Sequence, residues 1–405
     1  MQIKELCEII RERLENVHVG CFKGEERPLL LISEQYPGVW LEHVYDSVFY
    51  ATLDPSKLYL AVNTLELFMK NQTEDGQLPC CVLDGNKRKS GPLVSYSQIQ
   101  ECVSFASLCL AVYRMSGDKE LLRRCYDSAT RWVEWLRRYR MTRGEGLVEM
   151  FVGFDTGHDK SGRLNGMACR GTRIIDGVRI NAAVPPPEDG ITPIIAVDMN
   201  ANYYSTLISL SEMARELSFD TYEYWRDEAA KVKKRLFELT YDAEDAFFYD
   251  LDKQGRHRKY LSSTVFHLFM EGVLDRQTDK ELISELIERH IMNPNEFRTP
   301  YAYPSMAVCD PSCEGHGESN CWGYFTEGLI LLRTTLWMER YGLGDELDRI
   351  CESWLRAWCE HYDELKLGQE LDPITGVPSP SSEWYSSTML FYLYAAKRLG
   401  YYDGI

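Results

Sequence analysis

Apolar residues return at helical intervals through almost the whole chain. Ile3, Cys7, Ile10 and Leu14 fall at i, i+4, i+7 and i+11, which is one face of an α-helix. Comparable stretches run from Lys57 to Asn71, Tyr96 to Met115, Lys119 to Arg140, Ala201 to Leu217, Tyr222 to Leu239 and Ser262 to Met270. Others run from Asp279 to His290, Gly323 to Arg340, Asp345 to His361 and Trp384 to Leu399, with a further helix around His43 to Thr52. The count is close to twelve. Many stretches end in Gly or Asp turns, as in Met115-Ser-Gly-Asp118 and Tyr341-Gly-Leu-Gly-Asp345, and pairs alternate with longer loops, which predicts αα-hairpins.

Val197 to Tyr203 and Phe247 to Asp250 are short enough for strands or extended connections, but no series of alternating positions supplies a sheet. The expected class is therefore all-α. Twelve helices in hairpins can close into a six-hairpin (α/α)6 toroid, a single catalytic domain over residues 1–405 whose loops form a funnel. Three irregular stretches, Val148 to Val197, Phe297 to Asn320 and Leu365 to Glu383, interrupt the helices, and loops this long are usually functional.

The formal net charge of −17, from 62 acidic and 45 basic side chains, repels nucleic-acid phosphates and anionic membranes. The first ten residues carry charges within an apolar pattern, unlike a signal peptide, and no apolar run reaches the roughly 18 residues of a membrane span. A cytoplasmic protein with neither a nucleic-acid nor a membrane partner is expected. Thirteen cysteines, none in a CxxC pair, read as reduced thiols. Cys309, Cys313 and Cys321, with His316 between them, invite a structural-zinc reading, but their spacing fits no standard finger and plain loop residues are preferred. No GxGxxG, P-loop or HExxH sequence occurs, so no cofactor and no metal is expected.

Tyr36-Pro-Gly-Val-Trp-Leu-Glu-His-Val-Tyr-Asp-Ser47 mixes aromatic and acidic side chains. Sugars favour this mixture, because aromatic faces cover pyranose C–H groups while carboxylates accept hydrogen bonds from pairs of hydroxyls. A helix start with core aromatics is the competing reading. Two carboxylates in separate loops stand out: Asp159 in Phe154-Asp-Thr-Gly-His-Asp-Lys-Ser161, and Glu370 in Gly368-Gln-Glu-Leu-Asp-Pro-Ile-Thr-Gly376. Inverting glycoside hydrolysis needs such a pair, one to protonate the departing oxygen and one to deprotonate the attacking water. Each also sits in good turn chemistry, so an Asx-turn or a solvated surface position is the alternative.

Tyr45-Asp46-Ser47 resembles the W-D-S signature of the trehalase and processing α-glucosidase clan of glycoside hydrolases, whose bacterial members include mannosylglycerate hydrolases. Gly76-Gln-Leu-Pro79 and Ser97-Gln98 resemble that clan's G-x-x-P and S-Q-P-P segments, and Phe154 to Ser161 resembles its E-S-G-x-D-x-S motif. Val197-Asp-Met-Asn200 is similar to its V-D-L-N helix start, Phe297 to Ser305 to its active-site loop, and Glu370 to Gly376 to E-x-Y-[DN]-x-x-T-G. The resemblance runs collinearly from about residue 36 to 399. It implies Asp159 as general acid, Glu370 as general base, and carboxyl groups about 6.5 to 9.5 Å apart, the spacing for inversion.

The same resemblance puts Trp40, Tyr45, Asp46, Gln98, Trp322, Gly323, Trp384 and Tyr385 forward as sugar contacts. Asp155 is a like-charge neighbour that would raise the pKa of Asp159, and His158 and Arg163 flank the leaving group. Cys321-Trp-Gly-Tyr-Phe-Thr326 departs from the clan's W-R-G-P-V-W, with Trp322 in place of an arginine. The implied activity is an inverting, exo-acting α-glycosidase on a small carbohydrate: a disaccharide, an oligosaccharide or a glycosylglycerate. A sugar epimerase using His43, His158, His267, His290, His316 or His361, and a non-catalytic carbohydrate-binding protein, are the alternatives on the same toroid. Glucose, mannose and rhamnose, the aglycone and the oligomeric state stay open on the sequence.

Overall fold

A computed structural model describes residues 1–88, 90–100, 104–171, 173–175, 178–180, 182–186, 190–313 and 322–404. Twelve α-helices occur among them: α1 (Ile3–Arg13), α2 (Val44–Leu53), α3 (Leu58–Lys70), α4 (Phe105–Ser116), α5 (Lys119–Tyr139), α6 (Val197–Glu216), α7 (Tyr222–Thr240), α8 (Thr264–Met270), α9 (Lys280–Leu286), α10 (Gly328–Thr334), α11 (Gly344–Glu360) and α12 (Ser386–Arg398). They form an (α/α)6 toroid of the expected all-α class.

Burial separates the two rings. In α10 all seven residues are buried, and α2 is buried everywhere except Thr52, so the even-numbered helices are surrounded on every side. The odd-numbered α5 buries one stripe, Leu121, Leu122, Cys125, Tyr126, Ala129, Trp132, Val133, Trp135 and Leu136, and turns its charges outward. Contacts join α2 to α4, α4 to α6, α6 to α8, α10 to α12 and α12 back to α2, giving the inner ring. The N-terminal α1 packs on α11 and α12 and closes the outer ring. Local chemistry sets the ends: Asp118 caps α5 through the N–H groups of Glu120 and Leu121, and Gly117 ends α4 in the left-handed region.

The inner helices are parallel. Asp46 at the start of α2 accepts hydrogen bonds from Ser386 and Ser387 at the start of α12, while residues of α2, α4, α6 and α12, Met270 at the end of α8, and Thr335 and Leu336 just after α10 line an 840 Å³ cavity toward the opposite mouth. The inner N-termini thus face one mouth, where the Val197 N–H donates to Asp250, that of Gly328 to the Gln369 carbonyl and that of Ser386 to the Ile32 carbonyl.

The loops at that mouth carry short sheets the sequence did not announce. One joins Gly38–Trp40, Cys81–Leu83 and Val94–Ser95. A four-stranded one runs in the order His257–Arg258, Asp250–Leu251, Ile194–Ile195, Glu149–Met150, and Thr326–Glu327 pairs with Glu370–Leu371. Three expectations are corrected. Val197 to Tyr203 is the first two turns of α6, not a strand. The stretch from Tyr96 becomes helical only at Phe105, after Ser104 caps α4. Gly323 to Arg340 condenses to the seven-residue α10 with a separate turn at Glu339–Tyr341. No described helix is long and apolar enough to cross a membrane.

Candidate active site

Asp159 follows a short turn at Gly153–Asp155 in the loop between α5 and α6. Its residue is half-buried, but Oδ1 is fully shielded and has no hydrogen-bond partner among the described residues. Burial, and then the negative charge of Glu42, push its carboxyl up to about 8, against smaller opposing pulls from Arg170 and Lys160. Glu42 is itself buried and held: Gln100 Nε2 donates to Oε1 at 3.0 Å, His43 Nδ1 lies 3.7 Å from Oε1, and Arg333 Nη2 lies 3.5 Å from Oε2. A protonated acid poised beside an ionised carboxylate suits proton donation near neutral pH.

Glu370 lies in a strand directly opposite Glu327, and both side chains are fully buried. Ser379 Oγ donates to Glu370 Oε1 at 2.6 Å, and the Trp322 N–H donates to Glu327 Oε1 at 3.1 Å. Trp322, in the left-handed region at φ 62°, stacks flat on His158 with ring centroids 4.2 Å apart. His158 adjoins Asp159 in sequence, so Trp322 is the hinge at which the Asp159 loop meets the pair of strands carrying Glu327 and Glu370.

Other expected contacts divide. Gln98 and Trp40 line a cleft of about 800 Å³ together with Tyr96, Arg88, Arg170 and Asp75, and Gln98 Nε2 donates to Gln100, which holds Glu42. The Tyr385 hydroxyl sits 2.7 Å from His43 Nε2, and its ring meets Tyr36 edge-on, as does that of Trp40. Gly323 accepts the Met306 N–H through its carbonyl, which anchors the Trp322 loop. Asp46 bridges the first and last inner helices through Oδ2, and burial pushes its carboxyl up to about 7.

Three expectations are corrected. Asp155 is not the like-charge neighbour of Asp159: it is fully buried, paired to Arg140, and accepts the N–H groups of Ile99, Phe151 and Val152, so every lone pair is used inside the fold. Tyr45 points its hydroxyl at the Leu332 carbonyl and Thr335 and lines the cavity toward the opposite mouth, away from the Ser386 and Ser387 hydroxyls that hold Asp46. Trp384 packs between Arg13 of α1 and Tyr362, on the outer-ring side.

Arg163 is likewise no leaving-group contact. It is buried between Asp198, at the start of α6, and Asp250, 2.6 Å away. His158, Asp198 and His267 bring ligand-type atoms within 4.8 Å of one another, the arrangement among the described residues that could hold a metal. Burial, followed by neighbouring guanidinium charges, drives both imidazoles well below their usual range, and Arg163 already pairs with Asp198, so a guanidinium holds the carboxylate that a cation would use. Of the zinc reading, Cys309 is exposed and the Cys313 thiol donates to the Ala307 carbonyl, while Cys321 and His316 lie outside the described residues. His43 is bound to Tyr385, and His290 to Glu296 at 2.7 Å and the Asp245 carbonyl, away from this mouth. His361 is an outer-ring residue beside Glu364.

Glu42, Gln100, Glu327 and Arg333 escaped the sequence reading. The available signal was charge inside an apolar run: Arg333 is the lone charge of Gly328-Leu-Ile-Leu-Leu-Arg-Thr334, and Glu327 stands directly before it. An ionised side chain on a helix buried on all sides is costly unless it is paired or functional.

Residues 44–322 match the model of a family described as the mannosylglycerate hydrolase MGH1-like glycoside hydrolase domain. No curated protein matches the sequence. Among solved structures, a GH63 mannosylglycerate hydrolase from Thermus thermophilus, in complex with Tris and D-glycerate, superposes with a TM-score of 0.72 at 16% identity, covering 97% of this chain and 99% of that one. Neutral trehalase from Saccharomyces cerevisiae gives 0.68 at 14% identity, over 100% of this chain and 80% of that one. A rhamnosidase from Klebsiella oxytoca with rhamnose bound gives 0.61 at 14% identity, over 98% and 64%. At these identities the likeness speaks to the fold.

Proposed function

Because the chain belongs to the mannosylglycerate hydrolase MGH1-like glycoside hydrolase family, a family of six-hairpin glycosidases, we propose that it is an inverting, exo-acting α-glycosidase. Asp159 is the general acid and Glu370 the general base of this reading, within one catalytic domain spanning residues 1–405. The observation that carries it is the buried Asp159 carboxyl, shielded, without a partner at Oδ1 among the described residues, and held protonated by burial and by Glu42. It would give its proton to the departing glycosidic oxygen. Glu370, anchored through Oε1 by Ser379, would take a proton from the attacking water on the other face of the sugar ring. Trp322 stacks on His158, so the loop that carries Asp159 is packed against the segment leading into the Glu327–Glu370 strand pair.

The cleft lined by Arg170, whose charge is felt at Asp159, supports an aglycone that carries an anionic group. Arg88 and Arg170 both line it, in a protein of net charge −17, with Trp40, Tyr96 and Gln98 for the rest of the contact. Among the small substrates considered, a glycosylglycerate fits that lining best. The Thermus thermophilus structure with D-glycerate is a precedent on the same fold.

The test is a screen of α-linked disaccharides and glycosylglycerates, with the anomer of the released sugar read by proton nuclear magnetic resonance before mutarotation. The first-formed sugar should be the β-anomer. Asp159→Asn and Glu370→Gln should each lower kcat at least about 1,000-fold while circular dichroism stays unchanged. Release of the α-anomer would remove the inverting mechanism, and undiminished turnover in either variant would remove that residue.

A further inference from the structure

We infer that Arg333 is a specificity-determining contact for the sugar held between Asp159 and Glu370, donating through its guanidinium edge to a pair of adjacent ring hydroxyls. This rests on the glycosidase reading and deepens it by naming the group that selects the sugar.

Arg333 rises from α10 into the centre of the inner ring and is 4% exposed. Among the described residues, none of its Nε, Nη1 and Nη2 atoms has a hydrogen-bond partner. That sets it apart from Arg140, another buried guanidinium, whose Nε, Nη1 and Nη2 donate to the Ala182 and Glu149 carbonyls and to Asp155. Buried donors almost always find acceptors, and a charged donor without one is strongly unfavourable. Glu42 Oε2, 3.5 Å away, balances the charge but leaves the N–H groups unspent.

The surroundings say what would use them. The guanidinium lies 5.9 Å from the Trp322 ring, which stacks on His158, so Arg333 belongs to the wall where the two loops meet. Trp322 occupies its strained left-handed backbone with its N–H tied to Glu327, a conformation that persists only where the surroundings enforce it. Asp46 Oδ1 and His158 Nε2, both shielded and without a hydrogen-bond partner among the described residues, belong to side chains that feel the Arg333 charge. Unspent donors beside unspent acceptors are what neighbouring hydroxyls satisfy, because each hydroxyl accepts from one group and donates to another. A guanidinium adds a fork that fits two oxygens at once.

The experiment is calorimetric titration of the wild type, Arg333→Lys and Arg333→Gln with D-glucose, D-mannose and L-rhamnose, and with the monodeoxy derivatives of whichever binds best. Binding needs no turnover, so the result is independent of the catalytic pair. In the wild type, two adjacent deoxy positions should each cost about 10- to 100-fold in affinity, the worth of a hydrogen bond to a charged group. Arg333→Gln should lose a similar factor for the parent sugar and no longer distinguish it from those two deoxy derivatives, with Arg333→Lys in between.

Three results overturn the inference. The first is a wild-type deoxy profile retained in Arg333→Gln. The second is an equal loss for every derivative, the mark of a merely structural arginine. The third is a pair of unfolded variants, judged by thermal melting, together with a wild type indifferent to every deoxy change. Failure of all three sugars to bind the wild type would overturn the glycosidase reading as well, and so is distinguishable from failure at Arg333 alone.

Discussion

A carboxyl can serve as a general acid only while it keeps its proton near the working pH, and Asp159 keeps its proton for two separable reasons. Burial is the larger and Glu42 the second, with Arg170 and Lys160 pulling the other way. The protonated form is the active one, so kcat/KM should fall as pH rises through about 8. Glu42→Gln removes a negative charge that favours the proton, so the falling limb should move to lower pH by about one unit. A pH–rate profile whose basic limb stays in place would show that Glu42 is not felt at Asp159. Asp155, four residues earlier, shows why the sequence misassigned it: both are aspartates in one glycine-containing turn, and only the fold reveals that one spends its oxygens on Arg140 and three backbone N–H groups. Asp155→Ala leaves a buried guanidinium unpaired and should cost about 3–5 kcal/mol in urea unfolding. A loss below about 1 kcal/mol would mean that Arg140 finds another acceptor.

The outer α3, α5, α7 and α11 alternate buried and exposed residues at the helical period, and their ends fall within two residues of the expectation, as do those of the inner α2, α8 and α12. The inner α4, α6 and α10 start away from the expected residue, where burial on most sides removes the contrast between faces. At Val197 to Tyr203 the apolar–polar alternation imitated a strand, although Asn200 is spent on the Ala196 and Val148 carbonyls and Asp198 on Arg163. The closeness of inner helices was equally hidden. A Cβ at Gly328, at the start of α10, would lie 2.1 Å from Thr388 Oγ1 and 3.0 Å from its Cα on α12. Thr388 cannot swing away without releasing the Gly368 carbonyl, 2.8 Å from its hydroxyl and two residues before Glu370. Gly328→Ala should therefore destabilise by about 1–3 kcal/mol and also lower kcat, because the strain is passed to the Glu370 strand. Thr388→Ala introduced with it should restore part of the melting temperature, and a Gly328→Ala protein with wild-type melting and turnover would refute the close crossing.

Closure of the ring is a property of the whole chain, and no window of sequence contained it. Periodicity yielded the hairpins, but which helix turns inward, and that α1 meets α11 and α12, depends on contacts across more than 300 residues, such as Arg11 Nη1 to the Tyr402 hydroxyl at 2.9 Å. Carboxyls on the inner helices and in the segments that join them are drawn out of water, and burial is the first cause in raising each: Asp46 to about 7, Asp159 to about 8 and Glu271 to about 7. Such groups bind protons more tightly folded than unfolded. Their contribution to stability is fully present below the unfolded pKa of roughly 4 and is lost as pH rises through the folded value. For Asp46 alone, 1% exposed at the junction of α2 and α12, the change is of order 4 kcal/mol at most between about pH 4 and 7. Self-repulsion in a protein of charge −17 acts in the same direction, so the wild type by itself cannot separate the two. Asp46→Asn can, because it keeps an oxygen to accept from Ser386 and Ser387 while removing the titration. Urea unfolding at pH 5 and pH 8 should show the wild type losing more stability across that interval than Asp46→Asn, with the difference persisting at high salt. Equal losses in the two proteins would assign the pH dependence to surface charge and leave the buried carboxyls without a part in it.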